Sequence, residues 1–292
     1  TAGDAIILFY ENFGLYPAIG SHAGNFSGTA MYECDPAQIV PNEPSWCNGG
    51  LPQLANLSAH AAKLRSDIAS AIPDPEWAGV AFIDYESWQP VWDWNDNCCP
   101  AYQAASIALV RQEHPGWSQP EVEAQARLEL EAGALEFLMH TITVVRAERP
   151  HTQWSIDGYP GCGDSMDDYS GLLTEGRCPA TATAGNDKIA PLLAIQDTLT
   201  PMPYLLSLNS SFNTVYLQAV MREAARLAPT KPVWVYSWYE YMLQGALTVP
   251  DKPSCKVSPN SLAFLRSLFS EVNNQALANS TRRTGITPRP AC

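Results

Sequence analysis

Short apolar runs alternate along this chain with longer segments of helical periodicity, and this alternation limits the folds that are open to it. The apolar runs predict strands at Ala5–Tyr10, Val80–Ile83, Thr152–Ile156, Pro203–Leu206 and Pro232–Tyr236. The helix-like segments are Leu54–Ile72, Tyr102–Glu113, Ser118–Arg149, Asp187–Thr198, Thr214–Leu227 and Ser258–Val272. Strands that alternate with helices form βαβ units and a parallel sheet. The 292 residues contain no internal repeat and no linker-like stretch, so we predict a single-domain α/β fold of the barrel type.

The run that ends at Ile83 is followed by two carboxylates spaced two residues apart. After Gly79, four apolar residues from Val80 to Ile83 are too few for a helix and suit a fully buried strand. Side chains two apart on a strand point to the same face, so we expect Asp84 and Glu86 to lie side by side. Two neighbouring carboxylic acids do not both ionise easily, because their negative charges repel each other, so the pKa of one of them should be raised. A neutral carboxylic acid can protonate a leaving oxygen; the alternative is a solvated or salt-bridged pair.

Other candidate residues also fall at predicted strand ends. In a barrel, working residues lie at the carboxyl ends of the strands. The candidates in this position are Asp84, Glu86, Asp157, Tyr204 and Tyr236. The histidines at 60, 114 and 140 are interpreted as structural.

Eight cysteines without a CxxC pair or a neighbouring histidine indicate disulfides rather than zinc. Local spacing favours two pairs, Cys34–Cys47 and Cys162–Cys178. The other four, Cys98, Cys99, Cys255 and Cys292, are left to pair among themselves, and the adjacent Cys98 and Cys99 are expected to bond to different partners. Four Asn-x-Ser/Thr sequons agree with an oxidising compartment: Asn25, Asn56, Asn209 and Asn279. With no charged-then-apolar leader before Thr1, the chain is expected to be a mature, secreted, extracellular glycoprotein.

The net charge of the chain disfavours some classes of binding partner. Thirty acidic and 17 basic residues give a net charge of −13, which disfavours nucleic acid and anionic membranes. The longest apolar runs are far shorter than the roughly 20 residues that span a bilayer. Hydrophobic residues make up 46% of the chain, which is enough for a full core.

Several stretches carry a family resemblance. The most specific is Gly79–Trp92, which contains Asp84-x-Glu86-x-Trp88-x-Pro90 at the end of its strand. Other matching stretches are Phe9-Tyr10, Gly49–Gln53, His114-Pro115, Arg149-Pro150, Trp154, Gly158–Cys162 and Glu223–Arg226. In this order they resemble the hyaluronidase family of glycoside hydrolases over roughly residues 5 to 240, a group with venom and mammalian members.

The resemblance implies a distorted (β/α) TIM-like barrel and endo-hydrolysis of β-linkages after an N-acetylhexosamine. Glu86 matches the family's general acid and Asp84 its partner carboxylate. The implied mechanism is substrate-assisted: the sugar's acetamido oxygen attacks the anomeric carbon while Glu86 protonates the departing oxygen. No metal or organic cofactor is needed. Tyr204 resembles a tyrosine that lines the cleft, and Trp88 and Trp92 belong to the motif, either for sugar stacking or for plain packing.

The chain departs from the family pattern at several points. Asp157 stands where the family has a cleft tyrosine, and Gln89 replaces an arginine. Counterparts of a first and a late strand are missing, so we expect a barrel over residues 1–277 that is shortened at both ends. The tail, residues 278–292, is expected to cover the open sheet edge in its own chain or in a neighbour. Cys292 could then link subunits in a self-assembly.

Two functions are weighed. The first is a secreted glycosidase with Glu86 as its acid, acting on a polysaccharide such as a glycosaminoglycan. The second is a non-catalytic extracellular glycoprotein that keeps the scaffold for carbohydrate binding or assembly. Retention of both Asp84 and Glu86 favours the enzyme. Asp157, the shortened ends and the terminal cysteine favour the second function. The net charge of −13 also weakens the case for the enzyme, because an anionic polysaccharide needs lysines or arginines in its cleft. Either the substrate is less acidic than hyaluronan or the cleft is a local exception.

Overall fold

The structure is a computed structural model, and it describes residues 5–9, 12–19, 46–163, 172, 176–204, 210–237 and 284–288. The contacts divide the chain into two compact units. The first unit comprises Thr1–Ile156 and Lys188–Gln196, and the second comprises Asp157–Asp187 and Asp197–Cys292.

The described elements include strands at four of the five positions that the sequence predicts. The strands are β1 Ala5–Phe9, β2 Ala18–Ile19, β3 Trp46–Cys47, β4 Val80–Asp84, β5 Gln153–Ile156, β6 Val233–Ser237 and β7 Thr284–Pro288, of which β1, β4, β5 and β6 lie at the predicted positions. The helices are α1 Leu57–Ala71, α2 Asn95–Cys98, α3 Pro100–Glu113, α4 Gln119–Glu148, α5 Ala180–Lys188, α6 Ala190–Ile195 and α7 Ser210–Leu227. Single 3-10 turns occupy Pro52–Leu54 and Trp92–Trp94.

A parallel three-stranded sheet in the order β1-β4-β5 forms the centre of the first unit. Its register pairs Phe9 with Asp84 and Ile83 with Ile156. All five residues of β4 are buried. A central parallel strand that is covered on both faces is apolar throughout, which explains why the run from Val80 could be recognised as a strand.

Helix α4, with 30 residues, is the longest element and packs against α1, α3 and the turn at Pro52–Leu54. It begins after the predicted capping box, in which the amide and hydroxyl of Ser118 donate to Glu121 at 2.8 and 2.7 Å. The hydroxyl of Ser118, and then its amide, lower the pKa of Glu121. Gly133 lets the turn approach closely, because a Cβ there would lie 2.4 Å from Cα of Gln53.

Strand pairing in the second unit involves the tail and differs from the sequence prediction at one strand. β6 pairs in parallel with β7, a part of the tail of the same chain. Isolated bridges join Leu199 to Val233 and Asp157 to Thr200. The strand predicted at Pro203–Leu206 is therefore wrong in position: paired backbone occurs at residues 199–200, residues 201–204 are not in a strand, and residues 205–206 lie outside the described residues.

The helix predicted at Asp187–Thr198 is also wrong in its bounds. The chain instead forms α5 and α6, which are separated at Ile189, and it is extended by Gln196. Pro191 stands in the first turn of α6, where its missing N–H is tolerated, and a new helix begins there. The helix predicted at Ser258–Val272 lies outside the described residues.

The disulfides agree with the sequence analysis at one pair and correct it at another. Cys162 is joined to Cys178, as local spacing favours. Cys98 is joined to Cys99, so the expectation of different partners for these neighbours is wrong. Cys98 ends α2 and Cys99 precedes α3, and the bend between the two helices lets adjacent sulfurs meet. Cys47 is disulfide-bonded. The cysteines at 34, 255 and 292 lie outside the described residues.

Candidate active site

The two predicted catalytic acids lie at the carboxyl end of the central strand and in different environments. Asp84 is the last residue of β4 and is only 3% exposed. Glu86 follows two residues later, beyond the strand, and is exposed to solvent. The segment therefore presents one shielded carboxylate and one accessible carboxylate, which is an arrangement that separates an orienting role from a proton-transferring role.

Tyr85, between the acids, anchors the strand end in the core. Its hydroxyl donates to the carbonyl oxygen of Phe13 at 2.8 Å, and its ring centroid lies 4.5 Å from that of Tyr16. Burial raises the pKa of Tyr85 well above its usual value, and the nearby charge of Asp67 adds to the rise. Because the Tyr85 side chain is held in this way, the backbone on either side of it is fixed as well.

One buried amide organises the loop that follows Glu86. Asn95 is 0% exposed. Its Oδ1 accepts from the amide of Gln89 at 2.9 Å, and its Nδ2 donates to the carbonyls of Gln89, Val91 and Trp92 at 3.0, 2.9 and 3.3 Å. Asn95 is not among the residues predicted from the sequence to have a functional role. Asparagine side chains commonly bind nearby backbone groups, but this general tendency does not distinguish Asn95 from the other asparagines of the sequence.

The two motif tryptophans pack inside the first unit. Trp88 is 1% exposed, its Nε1 donates to the carbonyl of Pro17 at 2.8 Å, and its ring stacks on Tyr16 at 5.0 Å. Trp92 is 8% exposed and lies beneath the guanidinium of Arg127, 5.6 Å from the ring centroid. The burial favours packing over sugar stacking for Trp88, because a ring with so little exposure presents no face to a sugar.

The remaining candidates lie in the second unit. Asp157 is 4% exposed, and its Oδ1 accepts from the amide of Gly158 at 3.0 Å. Tyr204 is half-buried, with its hydroxyl 3.4 Å from the sulfur of Met202. Tyr236 is 2% exposed on β6, and its ring meets that of Tyr204 edge-on with centroids 6.4 Å apart. The fold thus brings the two predicted tyrosines together.

His60 has the structural role that the sequence predicts. Its Nδ1 accepts from the amide of Leu15 at 2.9 Å, so its Nε2 carries the proton and donates to Oγ1 of Thr141 at 2.9 Å. The Thr141 hydroxyl in turn donates to the carbonyl of Phe137. Burial lowers the pKa of His60 to about 3, with a further contribution from His140. The ring is therefore neutral.

Among the described residues, no group of histidine, cysteine, aspartate and glutamate side chains is arranged to hold a metal ion. In the same residues, no helix has the length and apolar character that crossing a membrane requires. Of the four sequons, only Asn56 is described: it is exposed and caps α1, with its Oδ1 accepting from the amide of Ala59 at 3.0 Å. The asparagines at 25, 209 and 279 lie outside the described residues.

Comparison with known proteins identifies the family to which this chain belongs. A sequence profile described as hyaluronidase matches residues 38–251, which is well over half of the chain. The chain belongs to the hyaluronidase family. Bovine hyaluronidase-1 is 36% identical over 195 residues, covering 64% of this chain and 43% of that protein. Honeybee (Apis mellifera) hyaluronidase is 33% identical over 200 residues, covering 66% and 51%. This chain spans about half the length of these hyaluronidases.

A solved hyaluronidase has a similar fold. Bee venom hyaluronidase, crystallised in complex with a hyaluronic acid tetramer, matches with a TM-score of 0.76 at 26% identity, covering 99% of this chain and 79% of that one. A monoclinic crystal form of bee venom hyaluronidase matches with a TM-score of 0.72. These matches confirm the predicted fold, which is an α/β fold of the TIM-like barrel type found in the hyaluronidase family.

Proposed function

We propose that this protein is a secreted endo-glycosidase that hydrolyses β-linkages in an N-acetylhexosamine-containing polysaccharide. One observation carries the proposal: in a hyaluronidase-family chain, the buried Asp84 ends the central parallel strand and the exposed Glu86 follows two residues later. Pairs of carboxylates are the usual catalytic groups of glycosidases. The carboxyl end of a barrel strand is also the usual location of catalytic residues.

Glu86 is assigned as the general acid because it is the accessible member of the pair. The acetamido oxygen of the substrate attacks the anomeric carbon and displaces the leaving oxygen, to which Glu86 donates its proton. A water molecule then opens the cyclic intermediate at the same carbon, and the Glu86 carboxylate takes up the proton that the water releases. Two displacements at one carbon leave its configuration unchanged, so the reaction is retaining.

Asp84 is assigned as the residue that orients and stabilises the acetamido group. As a carboxylate it accepts a hydrogen bond from the acetamido N–H, and this bond strengthens as positive charge develops on the attacking group. Its burial supports the role, because the interaction is stronger in a site from which water is excluded. The Tyr85 anchor supports it further, since a fixed backbone holds both carboxylates in place.

The second unit is proposed to supply residues that contact the sugar chain. Tyr204 is the leading candidate, because it is half-buried and its ring is braced by Tyr236. Asp157 is proposed as a polar member of the same set. Trp88 is left out of the set, because its ring is enclosed by the core.

The proposed substrate is a glycosaminoglycan or a related polymer, and the proposed location is extracellular. Bee venom hyaluronidase was solved with a hyaluronic acid tetramer, which supports a carbohydrate of this class. Support for secretion comes from the cysteines, of which none is free among the described residues, and from the exposed sequon at Asn56. Self-assembly through Cys292 is a separate proposal, and peptide mapping under non-reducing conditions tests it.

The test is release of new reducing ends by the wild-type protein from hyaluronan, chondroitin and chitin oligomers between about pH 4 and pH 7. A polymer from which the acetyl groups have been removed serves as the matched control. We expect hydrolysis of at least one acetylated polymer and none of its deacetylated form, since the acetamido oxygen is the nucleophile. A protein that is silent on all three polymers would instead be a carbohydrate-binding or structural glycoprotein.

A further inference from the structure

A pocket in the second unit is rich in arginine, although the chain as a whole is strongly acidic. It has a volume of about 500 Å³ and lies between α5, α7 and the segment around the Cys162–Cys178 disulfide. Three guanidinium groups line it, from Arg177, Arg222 and Arg226. The chain has only 17 basic residues against 30 acidic ones, so a concentration of three arginines in one pocket is a local reversal of its charge.

Two acidic residues also line the pocket, and both are bound to the same arginine. Arg226 forms two hydrogen bonds with the Glu223 carboxylate, each 2.8 Å, and a third of 2.8 Å with Asp187. Glu223 is buried, and it also accepts from Asn186 at 2.9 Å. The Glu223 hydrogen bond, followed by that of Asp187, raises the pKa of Arg226 further above its usual value. This arginine therefore offsets one of the two negative charges and joins the residues of the pocket wall.

The other two arginines keep their capacity to bind an anion. Arg222 is exposed and donates to the carbonyl oxygen of Gly176, which is a neutral acceptor and leaves other N–H groups of the guanidinium available. Arg177 is exposed, and among the described residues it makes no ion pair or hydrogen bond. With the five charged side chains counted together, three arginines against two acids, the pocket lining carries a net charge of +1.

We infer that this pocket is an accessory binding site for a carboxylate-bearing sugar chain, with Arg177 and Arg222 as the residues that hold the carboxylate. This inference rests on the proposed function for its choice of a polysaccharide. Guanidinium groups bind carboxylates through paired N–H donors. A volume of about 500 Å³ is within the range of roughly 300–1,000 Å³ for ligand sites, and both arginines are exposed to solvent.

The pocket also explains how a strongly acidic protein could bind a negatively charged polysaccharide. A net charge of −13 repels a polyanion at long range. A polyanionic substrate therefore needs at least one local region of opposite sign on the protein surface. Arg177 and Arg222 provide such a region, and none of the residues that line the pocket is among the proposed catalytic pair.

The test is equilibrium binding of polysaccharides to proteins that all carry Glu86→Gln, so that no turnover disturbs the measurement. The pocket variant is Arg177→Gln/Arg222→Gln. The matched control is Arg65→Gln/Arg111→Gln, which removes two positive charges from the first unit. The polymers are hyaluronan, which has carboxylates, chondroitin sulfate, which has carboxylates and sulfates, and neutral chitin oligomers. The single variant Arg177→Gln controls for misfolding, because within the described residues this side chain makes no hydrogen bond or ion pair that the substitution would remove.

We expect the pocket variant to bind hyaluronan about tenfold more weakly than the control does, which corresponds to about 1.4 kcal/mol, with chitin binding unchanged. Arg177→Gln alone should give part of this loss. Equal binding by pocket variant and control would overturn the inference, and so would a loss for chondroitin sulfate alone, which would assign the pocket to sulfate. Wild-type activity is measured separately. If the wild type is inactive but its binding depends on the pocket arginines, the proposed function is contradicted. If the wild type is active but its binding does not depend on them, only this inference is contradicted.

Discussion

The side chain of Asn95 holds Gln89 by both of its backbone groups, accepting from the amide at 2.9 Å and donating to the carbonyl at 3.0 Å. The same amide group also donates to the carbonyls of Val91 and Trp92. Four backbone contacts of the loop that follows Glu86 therefore converge on a single buried side chain. Two further side chains bind the backbone of Trp92: Gln103 donates to its carbonyl at 2.9 Å, and Glu131 accepts from its amide at 3.0 Å.

Replacing Asn95 by alanine should loosen this loop. We expect Asn95→Ala to lower the free energy of unfolding by about 2–4 kcal/mol, because several buried backbone groups lose their partner. The rate of hydrolysis should fall as well, since Glu86 is carried by the same segment. Chemical denaturation and turnover of hyaluronan measure the two effects. Asn12→Ala, at an exposed asparagine, is the control, and an Asn95→Ala protein as stable as that control would contradict this account of the loop.

Acid should destabilise the protein through His60. The pKa of this buried ring is about 3 in the folded state, against 6.5 for an ordinary histidine. The folded state therefore binds fewer protons than the unfolded state between these values, and the stability contribution that is present above pH 6.5 is lost as the pH falls toward 3. The expected slope reaches about 1.4 kcal/mol per pH unit.

Stability curves of wild type and His60→Gln between pH 7 and pH 4 measure this effect. The difference in unfolding free energy between the two proteins should shrink as the pH falls, because the variant has no ring to protonate. His151→Gln, which makes the same substitution at an exposed histidine, is the control. A constant difference between wild type and His60→Gln would rule out the neutral, buried ring as the cause.

A side chain at position 133 should destabilise the packing of α4 against the turn at Pro52–Leu54. A Cβ at this position would lie 2.4 Å from Cα and 2.6 Å from the backbone nitrogen of Gln53. Backbone atoms of a packed turn do not move aside easily, so Gly133→Ala should cost about 1–3 kcal/mol of unfolding free energy. Gly116→Ala is the matched control, because nothing lies within 4 Å of its added Cβ. Thermal unfolding compares the two, and equal melting temperatures would be inconsistent with the close packing of the turn on α4.

The two described disulfides should differ in their effect on stability. Cys162–Cys178 closes a loop with a sequence separation of 16 residues, whereas Cys98–Cys99 joins neighbours and closes none. Constraint of the unfolded chain grows with loop length and gives about 3 kcal/mol for a loop of this size. The unfolding midpoint of Cys162→Ser/Cys178→Ser should therefore lie at a much lower denaturant concentration than that of Cys98→Ser/Cys99→Ser. The opposite order would contradict the loop-length argument.

Local patterns predicted the first unit better than the second. The continuous apolar run at β4 and the capping box at Ser118 each determine an element without help from distant residues, and both elements were found close to the predicted bounds. Helix α5 was missed because its sequence, Ala-Thr-Ala-Thr-Ala-Gly-Asn-Asp-Lys, has few large apolar residues. It is placed by packing of Ala182 in a cluster with Leu172 and Val220, which sequence periodicity does not reveal.

In the candidate site, too, local sequence patterns predicted some features, whereas others depend on packing between distant residues. The Asp84 and Glu86 pair was visible as a motif, but the burial of one acid and the exposure of the other depend on the surrounding fold. Trp88 looked equally suited to packing and to sugar stacking until its contacts with Tyr16 and Pro17 were known. Asn95 contributes through four backbone contacts that a sequence alone does not display.

The role of Glu86 is the central claim, and hydrolysis of hyaluronan by Glu86→Gln tests it most directly. New reducing ends are measured between about pH 4 and pH 7 for wild type, for Glu86→Gln, and for Glu113→Gln, a change at an exposed glutamate that ends α3. Loss of a general acid lowers rates by about 10²–10⁴. We predict an active wild type, a Glu113→Gln protein of similar activity, and a Glu86→Gln protein at least about 100-fold slower. A Glu86→Gln protein that is as fast as wild type would contradict the assignment.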